Sequence, residues 1–239
     1  ATGSAGHYKL NNSAGGDSSL IRDKEQSNSD NLLVLTPRKP DDAKAIGEVV
    51  RERVDYEAGP TLIILPKWAT APDQKRRDWV VGLGILDKRI ATETLKDLAD
   101  GVEIGQNKHP TATMASWPGH PAVRFRLPEN TQTISGDAFE TIIADPSGGA
   151  VLARLEMGEV YILADPDLAN NMGLKDKATA RATLEMLWAL NPEDPGTISF
   201  DVTVHGLGRS PNLLKLAFEP PFLAVTLCHF AAGLVAVLH

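Results

Sequence analysis

Two groups of residues have the types and spacing to do chemistry. Asp165, Asp167, Asn170 and Asn171 follow a predicted strand, and Asp201 and His205 lie in and just after another. Along a strand, alternate positions share a face, so Asp201 and His205 point the same way. In an open parallel sheet, ligands sit outside the carboxyl ends of the strands, where both groups fall. If the two strands are neighbours, carboxylates and imidazole converge into a set able to bind a metal or shuttle a proton. The competing reading is plain. Asp-Pro-Asp followed by Asn-Asn and Gly is ordinary turn and capping chemistry, and Asp201 can satisfy loop amides.

Nothing in the sequence supplies a covalent catalyst to go with them, so no catalytic residue is expected. The single cysteine, Cys228, lies in an apolar run. No Gly-x-Ser-x-Gly elbow surrounds Ser4, Ser116, Ser135 or Ser147. Gly82-Leu83-Gly84 lacks the third glycine of a dinucleotide fingerprint. The acidic spacing does not match a calcium loop, and one carboxylate with one His makes no zinc site. No cofactor or metal is therefore expected. His109 and His120 fall in an irregular loop and read as solvated. Trp68 and Trp79 read as packing residues, and His229 is a polar group inside the apolar run.

The elements that must position these groups follow from hydrophobic pattern. Asn31–Thr36 and Thr61–Leu65 are short continuous apolar runs, the mark of strands buried on both faces. Between them Ile46, Val49, Val50 and Val54 keep helical spacing after Pro40-Asp41-Asp42, giving a βαβ unit. A polar loop or short helix is expected over Pro66–Asp78, a helix over Ile90–Leu98 and an irregular stretch over Gly101–Pro121. Strands are expected over Val123–Leu127 and Thr131–Ser135. A hairpin joins Glu140–Ala144 to Ala150–Glu156 through Asp145-Pro146-Ser147-Gly148-Gly149. Glu159–Ala164, a helix over Asp176–Leu190 and a strand over Thr197–Val204 complete the pattern. The expected organisation is a flexible lead-in over 1–30, an α/β domain over 31–210, and a juxtamembrane segment with a membrane helix over 211–239.

That last segment sets the compartment. Pro220–Leu238 carries no charged residue, and about 20 apolar residues suffice to cross a bilayer. The alternative is a buried helix that ends the domain. The chain has 239 residues with 24 Lys and Arg against 31 Asp and Glu, a net charge of −7. The basic residues are scattered, with no cluster to suggest nucleic acid or an anionic membrane surface. A start without Met and an apolar run with no polar flank beyond it suggest a fragment.

Several strings together resemble the bacterial domain-of-unknown-function family 4350. They are VYILADPDLANNMG at Val160–Gly173, FDVTVHG at Phe200–Gly206, FEPPFLA at Phe218–Ala224, LLVLTP at Leu32–Pro37 and TLIILPKW at Thr61–Trp68. The resemblance covers about residues 31–239 and departs before residue 31, where the family pattern has a strand and a helix. It implies an α/β domain of flavodoxin-like or class I glutamine-amidotransferase-like type. That type has a mostly parallel sheet, flanking helices and a β-hairpin, plus a C-terminal transmembrane helix. It also implies an extracytoplasmic domain on the bacterial inner membrane and association with membrane proteins, including a MoxR-type ATPase system. It brings no established activity. The function expected is a membrane-anchored binding or scaffolding module; the alternative is a hydrolase-like enzyme using Asp165, Asp201 and His205.

Overall fold

The computed structural model describes residues 11–12, 15–21, 28–72, 80–110, 113–170 and 173–201. Compactness divides the chain into Ala1–Leu207 and Gly208–His239, the second lying outside the described residues. Among the described residues of the first unit, nine strands form one sheet. Its parallel half comprises β1 (Asp17–Ile21), β2 (Leu32–Leu35), β3 (Thr61–Ile64), β12 (Val160–Leu163) and β13 (Thr197–Asp201), in spatial order β1-β13-β2-β3-β12. Beyond β12 the sheet continues antiparallel through β11 (Ala150–Leu155), β9 (Asn130–Ser135) and β6 (Glu103–Lys108), with β10 (Phe139–Ala144) on β11.

The apolar strands sort their side chains by alternation. Leu32, Val34, Leu62, Ile64 and Leu163 face one side, with Ala182, Met186 and Leu187 of α3 (Lys177–Ala189). Leu33, Leu35, Ile63, Leu65 and Ile162 face the other, with Ile46, Val49 and Val50 of α1 (Asp42–Asp55). Ala91 of α2 (Lys88–Glu93) joins that second side. Helices thus cover both faces, and the central strands β2 and β3 are buried on both, as their continuous apolar runs require. The first side also receives Val123 and Phe125 from β8 (His120–Arg126), which pairs with β7 (Met114–Trp117) in a separate ribbon.

This is the expected mixed α/β architecture, with parallel central strands, flanking helices and the β10–β11 hairpin. Several local expectations change. Residues 17–21, read as part of a flexible lead-in, form edge strand β1, in register with β13. The buried Asn11 carboxamide donates to Ser18 Oγ and the Gly196 carbonyl, both at 2.9 Å. The supposed polar loop after β3 begins with β4 (Trp68–Pro72), which pairs with β5 (Val80–Ile85). The irregular stretch at 101–121 holds β6 and β7, whose few buried apolar residues hid them. Helix α2 ends at Glu93, short of the expected Leu98. Among the described residues no helix is long and apolar enough to cross a membrane, and the Pro220–Leu238 run lies outside them.

Candidate functional site

Strands β3 and β12 are parallel neighbours, and the Leu65 amide still donates to the Leu163 carbonyl at 3.0 Å. After β3 the chain proceeds to α2 on the α1 side, and after β12 it proceeds to α3 on the opposite side. Two parallel neighbours whose connections leave to opposite faces open a crevice at their carboxyl ends. Lys67 and Asp165 enter that crevice three and two residues past the ends of their strands.

There they meet. Lys67 Nζ lies 2.8 Å from Asp165 Oδ2 and 2.6 Å from Asp167 Oδ2, with the Lys67 and Asp165 side chains 1% and 0% exposed. The ammonium also donates to the Asn130 carbonyl at 2.6 Å. Three N–H bonds thus have three acceptors, the full donor capacity of an ammonium. Asp165 accepts in addition from the Gln132 amide (2.8 Å) and the Asp167 amide (2.9 Å). The Gln132 carboxamide bridges the two strand ends, donating to the Ala164 and Pro66 carbonyls. Asp167 Oδ1 accepts the Trp68 indole N–H at 2.6 Å and the Asn170 carboxamide at 2.7 Å. Asn170 Oδ1 in turn accepts the Gly173 amide. Burial pushes the Asp165 carboxyl above the usual carboxylate range; Lys67 opposes that push and Asp167 adds to it.

Of the residues expected to act, Asp165, Asp167 and Asn170 are brought together. Asn171 and His205 lie outside the described residues. Asp201 is buried at the end of β13, which is separated from β12 by β2 and β3. Three strand spacings separate β12 from β13 by about 14 Å. The convergence that neighbouring strands would have produced does not occur. The capping reading of Asp165 holds, since its side chain caps the short 3-10 turn Pro166–Leu168, and the ion pair comes on top of it.

Sequence reasoning missed Lys67, which sits 98 positions from Asp165 at the head of what reads as a polar loop. Trp68, read as packing, is 40% exposed and acts as a hydrogen-bond donor. His109, read as solvated, is buried and lies 3.0 Å from Asp145 Oδ2, which also accepts the Asn107 carboxamide at 2.7 Å. Asp145 Oδ1 takes the Ser147 and Gly149 amides, so this second cluster fastens the β10–β11 turn to β6. His120 packs against the Trp117 ring at 4.4 Å. Trp79, Cys228 and His229 lie outside the described residues.

Chemically, the crevice is a closed network. A lysine that attacks a carbonyl needs a nitrogen lone pair facing a substrate, whereas Lys67 directs its donors into protein oxygen atoms. Among the described residues no group of three or more His, Cys, Asp and Glu is placed to hold a metal ion.

No protein-family model matches the chain, and no curated protein does. Among solved structures it is similar to the β-galactosidase of the psychrophilic Marinomonas ef1, with TM-score 0.39 and 17% identity over 70% of this chain. The match spans 22% of that enzyme's length. It is also similar to a putative GMP synthase subunit of Thermoplasma acidophilum, with TM-score 0.38 and 14% identity, covering 76% of this chain and 89% of that one. At these TM-scores neither likeness carries an argument about fold detail or function.

Proposed function

We propose that this chain is a membrane-anchored, non-catalytic binding or scaffolding module. The observation that carries the non-catalytic part is the saturation of Lys67. The crevice where an open α/β sheet usually receives its ligand is filled by an ammonium whose donors go to Asp165, Asp167 and Asn130. The anchored part is supported by the uncharged Pro220–Leu238 run. Placement of the domain outside the cytoplasm of a bacterium, at the inner membrane, and a MoxR-type ATPase system as partner follow from the family 4350 resemblance and are part of the same proposal.

Of the two finer fold types that the resemblance implies, the strand order speaks against the flavodoxin-like one. Ranked along the chain, the five parallel strands stand in the order 1-5-2-3-4, whereas flavodoxin-like sheets run 2-1-3-4-5. The hydrolase alternative built on Asp165, Asp201 and His205 loses its support from the separation of β12 and β13.

The test is extraction of the full-length protein from membranes. The anchored module stays with the lipid through an alkaline carbonate wash and needs detergent for release. A monodisperse protein in detergent-free buffer contradicts the anchor.

A further inference from the structure

Among the described residues the nine-stranded sheet has three strands with an open edge, β1, β6 and β10. Two of them are guarded as open edges usually are, by charge or by irregular pairing. Strand β6 carries exposed Glu103 and Lys108, and β10 carries exposed Glu140 and shifts of register against β11. Strand β1 is not guarded: its one charge, Asp17, stands at its start, and it pairs with β13 without a shift. The Asp17 amide donates to the Gly196 carbonyl at 2.9 Å. Backbone groups alternate between the two edges of a strand. Asp17, Ser19 and Ile21 therefore face β13, while Ser18 and Leu20 each turn one N–H and one C=O outward. Leu20 is 41% exposed although its neighbour in register, Phe200, is buried. The apolar layer runs out to this edge and stops uncovered.

We infer that β1 pairs with the β1 of a second copy of this chain, antiparallel about a two-fold axis at Ser19. The outward groups fit that partner without remainder. Ser18 of each copy stands opposite Leu20 of the other, and each such pair exchanges two hydrogen bonds. An isologous contact requires one patch that is complementary to itself. Identical residues must then meet at the axis, where side chains approach most closely, and Ser19 is small, uncharged and exposed. Asp17 falls opposite Ile21 of the other copy rather than opposite a carboxylate. The uncharged stretch Ser18–Ile21 lets two chains of net charge −7 meet without like charges at the contact. Pairing also takes Leu20 out of water, which single exposure does not. The inference goes beyond the anchored reading and does not depend on it.

The test uses the full chain with Cys228→Ser and Ser19→Cys, which leaves one cysteine, at the axis. Opposite residues of that pair type have Cα atoms about 4.5 Å apart, within the about 4.4–6.8 Å that a disulfide spans. Under mild oxidation with copper phenanthroline, position 19 should form covalent dimer at least about tenfold faster than Lys44→Cys on α1 in the same background, because pairing concentrates the thiols. Leu20→Pro added to Ser19→Cys removes an outward N–H and spares the bonds to β13, so it should bring the rate down to that of position 44. Equal rates at positions 19 and 44 overturn the inference, and an edge that takes a foreign strand gives that result. A fast reaction at position 19 that Leu20→Pro leaves unchanged overturns it as well, since chance collision then suffices. Should circular dichroism show Leu20→Pro unfolded, Leu20→Lys guards the edge by charge and carries the same expectation. Cross-linking reads the same in detergent and in plain buffer, so neither outcome bears on the anchor.

Discussion

Lys67 Nζ lies 2.8 Å from Asp165 Oδ2, both side chains shut off from solvent, at the carboxyl ends of two parallel neighbouring strands. A buried pair of this kind is held by geometry and by its further hydrogen bonds, because taking two charges out of water costs about what their attraction returns. Here the further bonds come from Gln132, Asn130 and Asp167. They tie β3, β9 and the turn after β12 into one unit.

Removing the cation alone should therefore be costly. Lys67→Met leaves Asp165 and Asp167 facing each other without compensation, and breaking a buried pair costs about 3–5 kcal/mol. Urea denaturation of the full chain in detergent measures it. The double variant Lys67→Met/Asp165→Asn should lose less than the sum of the two single losses, since no carboxylate is then stranded at position 165.

The pH dependence has a definite sign. Burial raises the folded-state value of Asp165 above its ordinary 3.8. Between those two values the folded protein holds a proton that the unfolded chain has released, so this group's contribution to stability declines as pH rises through the window. Asp165→Asn has no such titration. The stability of the wild type relative to Asp165→Asn should be greatest near pH 4 and fall toward neutrality. Chemical denaturation of both proteins across that range would show a flat or rising difference if burial does not dominate at this carboxyl.

Two glycines should respond oppositely to alanine. At Gly173 an added Cβ runs into the backbone carbonyl of Asp167, so Gly173→Ala must displace the turn that presents Asp167 to Lys67. Gly82 has open space around its Cβ position, and Ala there narrows the unfolded ensemble. Thermal unfolding should show a clear loss for the first and a change of about 0–1 kcal/mol in the stabilising direction for the second.

What could be read from the chain depended on what each element buries. Leu32–Leu35 and Thr61–Ile64 are covered by helices on both faces, so their apolar runs are continuous and unmistakable. Helix α1 shows its one apolar face in Ile46, Val49 and Val50. Strand β1 is an edge with only Ser18 and Ile21 buried, and β6 buries Ile104 alone. Neither has the alternation that marks a strand. Asp165 and Asp167 were legible because turn chemistry is local. Lys67 was not, because its meaning depends on β3 and β12 being neighbours, a pairing no local pattern encodes. The same ignorance of strand order made Asp201 look like a partner of Asp165.

Competitive acetylation of the lysines in the folded full-length protein tests the closed crevice most directly. With its donors held by Asp165, Asp167 and Asn130 and its side chain 1% exposed, Lys67 should acetylate at least about tenfold more slowly than exposed Lys44. It should gain reactivity only in denaturant. A Lys67 that reacts as fast as Lys44, or faster, would mark an open, activated amine and contradict a crevice closed upon itself.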